Sequence, residues 1–426
     1  MPSYFITNGR VIDPAAKTDA KLSIHVVDGK IDSLTQSRKA PDGAIEIDAS
    51  GCIVAPGFID MHVHLRDPGQ EYKEDIESGT RAAAAGGFTT VCCMPNTNPV
   101  NDCAAVTEYV LERARQAGHI DVRPIGAITR GLAGETLADI GDLAHAGAVA
   151  ISDDGKPVMN SGIMRRAMEY AKAFDLTVIS HCEDAHLAAC GVMHEGNVST
   201  ELGLGGIPSA AEEAMVARDI LLAELTGARL HIAHASSAGT VRLIRAAKDR
   251  GVAVTAEVTP HHLTLTEEAV ADYDPNAKVN PPLRSEADKR ALIKGLADGT
   301  IDVIATDHAP HDITDKEAGF EEAAFGMVGL ETMLPLTLAL VHDRAISMKR
   351  LIEALTQSPA RILKLEGKGT LAEGSSADIV IFEPEQSWTI QAARFASKAR
   401  NTPFDGLRAR GKVRYTFSRG RIVYSS

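Results

Sequence analysis

At 426 residues, with 44% hydrophobic and 24% charged side chains, the chain has the composition of a globular protein and the length for one large domain plus a smaller one. A formal charge of −13 and a pI near 5.6 argue against a nucleic-acid backbone or an anionic membrane as partner, since both would repel it. No run of about 18 apolar residues occurs, MPSYFITNGRVIDP lacks a basic and then apolar leader, and the six cysteines form no CxxC pair, so a non-exported, cytoplasmic chain with reduced thiols is expected.

From the N-terminus to about Pro56 the chain reads as short strands between turn signals: YFITNGRVI, then LSIHVVDGKIDSL with a DG turn, then GCIVAPG. The next stretch, GFIDMHVHLR at 57–66, continues a buried strand but alternates polar with apolar residues. Residues two apart share a face of a strand, so His62, His64 and Arg66 are expected on one side and Val63 and Leu65 on the other. Further on, Phe88-Thr-Thr-Val-Cys-Cys-Met94 reads as a strand, and AAVTEYVLERARQAG as an amphipathic helix ending at Gly118.

The cycle then recurs. VRPIGAIT, AVAISDD, LTVISHCED, ARLHIAHAS, VAVTAEVTPHH and DVIATDHAPH are strand candidates, with helical patterns such as IMRRAMEYAKAF and AGTVRLIRAAKDRG between them. Together with the strands before His62 and at Thr89 they make eight, each ending in a polar cluster. That pattern fits the common mouth of a (β/α)8 TIM barrel, over residues 56–367, better than an open doubly wound sheet. ADIVIFEPE and VRYTFSRGRIVYS bring back β-branched runs over 368–426, and this segment is expected to join residues 1–55 in a small β-sandwich domain built from both chain ends.

The strand ends carry His62 and His64, Asp153 and Asp154, His181, His234 and Asp307. Imidazole and carboxylate suit Zn2+ and similar ions, and six such ligands exceed one tetrahedral site, so two metals sharing a carboxylate is the economical reading. Strand alternation turns one of Asp153 and Asp154 to the mouth and leaves open which. His261 and His262 would overfill the site and are expected to support it, while Cys182, next to His181, should point away as a packed thiol.

Taken together, GFIDMHVHLRDPG, GGFTTVCCMPNTNP, ISDDGKPV, SHCED, HIAHASSAGT, TPHHL, KVNPPLR and ATDHAPH resemble the class I dihydroorotases of the amidohydrolase superfamily, in the family's order from about residue 5 to 425. The resemblance implies reversible interconversion of N-carbamoyl-L-aspartate and L-dihydroorotate, in pyrimidine biosynthesis, on a zinc-bearing barrel. It implies His62 and His64 as ligands of one zinc, His181 and His234 of the other, Asp154 as the bridging carboxylate, and Asp307 as both ligand and general acid and base. Relatives that bridge with a carboxylated lysine place it elsewhere, and Lys156 is offset from that position. By the same resemblance Arg66, Asn96, Asn280, His311 and the backbone around Phe325 and Gly326 bind the substrate carboxylate.

The polar segment HDITDKEAGFEEAAFGMVG, from His311 to Gly329 with its loop at 312–328, reads equally as a lid or as an exposed loop. The resemblance adds two partner expectations, a homodimer and a complex with aspartate transcarbamoylase. Two rival readings stand beside it: a hydantoinase- or allantoinase-like cyclic amidase, and a non-catalytic partner of the transcarbamoylase.

Overall fold

A computed structural model describes residues 2–426. The N-terminal strands are β1 (Tyr4–Thr7), β2 (Arg10–Asp13), β3 (Thr18–Lys21), β4 (Ser23–Val27), β5 (Lys30–Thr35), β6 (Ile45–Asp48) and β7 (Ile53–Pro56). Four of them form a sheet in the order β5-β4-β1-β6. The β4–β5 hairpin turns at Asp28 and Gly29, both with positive φ (47° and 79°), which is the demand of a tight two-residue hairpin that an Asp-Gly pair meets at low steric cost.

The middle of the chain supplies β8 (Phe58–Val63), β9 (Phe88–Cys93), β10 (Asp121–Gly126), β11 (Ala150–Ser152) and β12 (Thr177–Ser180), a short outlying ribbon of β13 (Met193–His194) and β14 (Gly206–Ile207), then β15 (Leu230–Ile232), β16 (Val254–Val258) and β17 (Val303–Ile304). Leaving out the ribbon, these eight strands are parallel neighbours in chain order, with helices between them. The seam closes where Val63 bridges His308, His64 N donates to the His308 carbonyl at 2.9 Å, and the buried Asp60 carboxylate accepts from Thr306 N (3.1 Å) and Thr306 Oγ1 (2.6 Å). The chain is a TIM barrel, whose closure leaves no free strand edge.

Period-two alternation sorts the barrel side chains. Ala150, Ile179 and Val303 turn inward to a cluster with Cys92 and Ile125, floored by Ile362 and Leu363 of the helix region after Gln357. Their neighbours Ile151, Val178 and Ile232 turn outward against Met164, Ala167, Val216 and Ile220 of the helices Ser161–Ala173 and Ser209–Thr226. In β8 the alternation is interrupted: its register against β9 shifts between Asp60 and Val63, so Met61 packs inside while Val63 and Leu65 join the outer cluster.

The C-terminal strands β18 (Ile379–Thr389), β19 (Arg408–Ser418) and β20 (Arg421–Ser425) complete a six-stranded sheet, β20-β19-β18-β7-β2-β3, through antiparallel pairing of Ile379–Phe382 with 53–56. Both chain ends therefore share one sheet. Val11, Val54, Ile379 and Ile381 face the four-stranded sheet, while Ile12, Ile53, Val380 and Phe382 face the barrel, where Phe382 meets Phe58 at 6.1 Å between ring centroids. Two details differ from the strand expectations: His261 and His262 belong to a short helix, Pro260–Thr264, capped by Thr259, and β17 is only two residues long.

Candidate active site

The ligand-type residues cluster where the strands end. His62 lies within β8 and His64 one residue past it; Asp154, His181, His234 and Asp307 lie one to three residues beyond β11, β12, β15 and β17. Strand alternation is not what aims all of them. Arg66, His234 and Asp307 have φ of 60°, 30° and 48°, a left-handed conformation that non-glycine residues seldom adopt and that collects at functional sites.

Asp154 occupies the middle. Its Oδ1 lies 3.3 Å from His62 Nε2 and 3.5 Å from both His181 Nδ1 and His234 Nε2, while its Oδ2 lies 3.5 Å from His64 Nε2. Asp153 points the other way and accepts from the backbone amides of Ile128 (2.7 Å) and Thr129 (3.0 Å), fastening the end of β10. Lys156 is exposed. Cys182 is buried in the outer cluster against Ser180 and Asp219, and His262 is tied to Thr259 (2.7 Å) and the Pro281 carbonyl (3.0 Å).

Hydrogen-bond polarity shows what the cluster lacks. His62 Nδ1 donates to Glu257 Oε1 at 2.6 Å, and His64 Nδ1 donates to Asn96 Oδ1 at 2.9 Å, so in the neutral ring the Nε2 lone pair of each faces carboxylate oxygens. His64 Nε2 stands 3.1 Å from Asp307 Oδ1, and His62 Nε2 stands 3.6 Å from the same atom. Buried His62 Nε2 and Asp154 Oδ1 have no hydrogen-bond partner. Acceptors converging on acceptors fit a cation, and two ligand triplets, His62–His64–Asp154 and Asp154–His181–His234, share Asp154 with ligand atoms within 4.8 Å of one another.

The electrostatics agree. Burial alone would lower the His62 pKa, but Asp154 and Glu257 outweigh it and hold it well above the ordinary value. Burial alone would raise Asp154 and Asp307, yet His62 and the neighbouring imidazoles for the first, and His64 with His62 for the second, hold both below the usual carboxylate range. The negative field that favours a proton on His62 is the one that a cation at Nε2 would satisfy, and the Nε2 lone pair is free only in the neutral ring.

Glu257 is a residue that sequence reasoning missed. Its buried carboxylate also accepts from His231 Nε2 at 3.1 Å and from the His234 amide at 3.2 Å, and His231 Nδ1 meets Thr255 Oγ1 at 2.8 Å. A carboxylate behind a ligating histidine fixes the ring's tautomer and angle. A glutamate inside the apolar run VAVTAEV was the available signal.

The opposite wall of the cavity, which encloses about 220 Å³, is made by Arg66, Asn280, His311, Phe325 and Gly326. His311 Nε2 lies 2.9 Å from the Phe325 carbonyl, which can only accept, so Nε2 carries the proton and bare Nδ1 faces Lys73 Nζ at 3.5 Å. Burial, Arg66, Lys73 and Lys316 push the His311 pKa down to about 3, so the ring is neutral. The Arg66 amino group, 3.3 Å from that Nε2, thus meets a donor, and among the described residues the guanidinium finds one acceptor, the Pro310 carbonyl at 3.2 Å from Nε. Among the described residues no carboxylate pairs with this 9%-exposed guanidinium. Asn280 Oδ1 is likewise buried without a partner.

Gly326, with φ 130°, closes this wall: a Cβ there would come within 2.7 Å of Ala309 Cβ. The segment after His311 is fastened from beneath, as buried Lys316 donates to the Pro275 (2.8 Å) and Ala324 (2.6 Å) carbonyls and Lys278 to those of Phe320 and Glu321 (both 2.8 Å).

Comparison with known proteins adds the family. The sequence model described as "Dihydro-orotase-like" matches residues 51–240. A protein named dihydroorotase from Syntrophotalea carbinolica is 56% identical over 419 residues, covering 98% of each chain, and one from Geobacter sp. (strain M21) is 54% identical over 424 residues, covering 100% of each. Among solved structures, L-hydantoinase (dihydropyrimidinase) from Arthrobacter aurescens is similar with a TM-score of 0.90 at 27% identity, covering 100% of this chain and 96% of that one.

Proposed function

Because the chain belongs to the dihydroorotase family, we propose that its site interconverts N-carbamoyl-L-aspartate and L-dihydroorotate on a pair of zinc ions. The observation that carries the substrate is Arg66. A buried guanidinium with no anion costs several kcal/mol of lost hydration, and an α-carboxylate relieves that cost through two parallel N–H···O bonds. A ring without a carboxylate, such as hydantoin or allantoin, would leave the cation unpaired.

In this reading His62, His64 and Asp307 hold one ion, His181 and His234 the other, and Asp154 is shared. When bound, the ions supply Lewis acidity and a water of lowered pKa. Arg66 and Asn96 clasp the carboxylate, joined by His311 Nε2–H when it exchanges the Phe325 carbonyl for the substrate, together with the backbone of Phe325 and Gly326, and Asn280 Oδ1 accepts a ring or ureido N–H. Asp307, steered by His64, takes the proton of the water that adds to the ring carbonyl and passes it to the amide nitrogen as the ring C–N bond breaks; in cyclisation it takes that proton from the ureido nitrogen and returns it to the departing oxygen as water.

The test is hydrolysis of dihydroorotate, hydantoin and allantoin by the isolated protein, with and without added zinc. Turnover confined to dihydroorotate is expected, and preference for hydantoin would overturn the reading. Asp307→Asn should lose about 10²- to 10⁴-fold in kcat. A homodimer and a complex with aspartate transcarbamoylase are part of the proposal, and activity of a fully metallated sample only after the transcarbamoylase is added would identify the second as obligatory. Among the described residues no helix is long and apolar enough to cross a membrane, and we propose a cytoplasmic location.

A further inference from the structure

Between β18 and β19 the chain leaves the end-built sheet and crosses to the barrel mouth. Its base is pinched by Ile390 N donating to the Leu407 carbonyl and Gly406 N to that of Ile390, both at 2.9 Å. Along the way two acids hold it: Glu331 accepts from Ala396 N (3.1 Å) and Ser397 N (3.2 Å), and buried Glu74 accepts from Ser397 Oγ and Lys398 N (3.2 Å). The strap then delivers Asn401, 5% exposed, into the seam between the two loops that face Arg66.

There every polar group of Asn401's side chain is used. Oδ1 accepts from His311 N at 3.1 Å, and Nδ2 donates to the Ala309 (3.0 Å) and Gly326 (3.1 Å) carbonyls. Its own carbonyl accepts from Val328 N at 3.0 Å. One amide thus spans the segment after β17 and the segment carrying Phe325 and Gly326. A planar amide with fixed donor and acceptor arms sets their separation, and with it where His311 and the Gly326 backbone stand beside Arg66 on the wall that a carboxylate would meet.

We propose that Asn401 is a positioning residue for the substrate carboxylate, through which the end-built sheet shapes the specificity wall of the barrel; the inference rests on the dihydroorotase reading. Asn401→Ala should raise KM for dihydroorotate about tenfold to a hundredfold, while kcat and bound metal stay within about twofold. Amide hydrogen exchange across 308–312 and 325–329 should accelerate in the variant. Lys398→Ala, which removes a surface contact of the same strap with Asp75, should leave KM unchanged.

An unaltered KM in Asn401→Ala overturns the proposal, as does a parallel fall in kcat, metal content and melting temperature, which a merely structural residue would give. Should that variant fail to fold, Asn401→Asp keeps the acceptor for His311 N and removes the two donors, and an unaltered KM there is equally fatal. A wild-type chain inactive on dihydroorotate counts against the activity alone, because the exchange measurement reads the strap without substrate.

Discussion

The two walls of the cavity are held by opposite means. On the strand side, charged or polar side chains hold other side chains: Glu257 behind His62, Asn96 behind His64, Asp154 among four imidazoles. On the loop side, the functional groups rest on main-chain carbonyls, Pro310 for Arg66 and Phe325 for His311, with Asn401 tying the loops. The first wall ends with carboxylate and imidazole lone pairs in excess; the second ends with N–H donors in excess. A protein of net charge −13 thus keeps one cation-seeking and one anion-seeking surface facing each other across a single small cavity.

That contrast can be broken from either side. The largest effect in the comparison should come from Glu257→Gln, which leaves the His62 ring without its charged partner: metal affinity should fall about tenfold to a hundredfold by titration against a chelator, and unchanged affinity would show that the strand wall does not depend on its backing. Arg66→Gln should leave metal content intact and raise KM by about 2 kcal/mol, ~30-fold, since a buried charged contact is lost. Loss of metal in that variant would merge the two walls into one.

The smallest effect concerns the strap. Burial pushes the Glu331 carboxyl up to about 7, against the lowering by the Ala396 and Ser397 amides. Its folded pKa is therefore above its unfolded one, so the stability it contributes is fully present below the ordinary carboxylate value and is lost as pH rises through about 7. Glu331→Gln, which keeps an acceptor for those amides, should match the wild type near pH 4 and melt on the order of 2–4 °C higher at pH 8. A difference independent of pH would contradict this.

Much of the strand wall was legible because ligand-type residues stand out where apolar runs stop, and His62, His64, Asp154, His181, His234 and Asp307 are brought together in space. The choice between Asp153 and Asp154 was not legible from period, since both neighbours fit a strand face until Thr129 claims the first. Nor were the left-handed turns at Arg66, His234 and Asp307, because no glycine marks them and tertiary contacts hold them. The alternation read in GFIDMHVHLR holds in that His64 and Arg66 line the same cavity, but a bulge and a left-handed turn, not a regular strand, carry Arg66 to the wall facing the histidines.

The loop wall was hardest to read. Asn401 sits in an unremarkable Arg-Asn-Thr-Pro stretch without regular structure, 90 positions from the amide it accepts. The double-ended sheet was anticipated from β-rich composition at both termini, whereas the separate four-stranded sheet of N-terminal strands alone was not, because periodicity reports faces and says nothing of partners.

The pairing of Pro56 with Ile379 sets a timetable for the growing chain. All eight barrel strands emerge during synthesis before β18 exists, so β7 waits with one edge bare and the convergent histidines and carboxylates can assemble first. The substrate-facing loops acquire their amide clasp only when residue 401 has been made. Order along the chain thus places the convergent histidines and carboxylates of the strand wall ahead of Asn401, the side chain that ties the facing loops together.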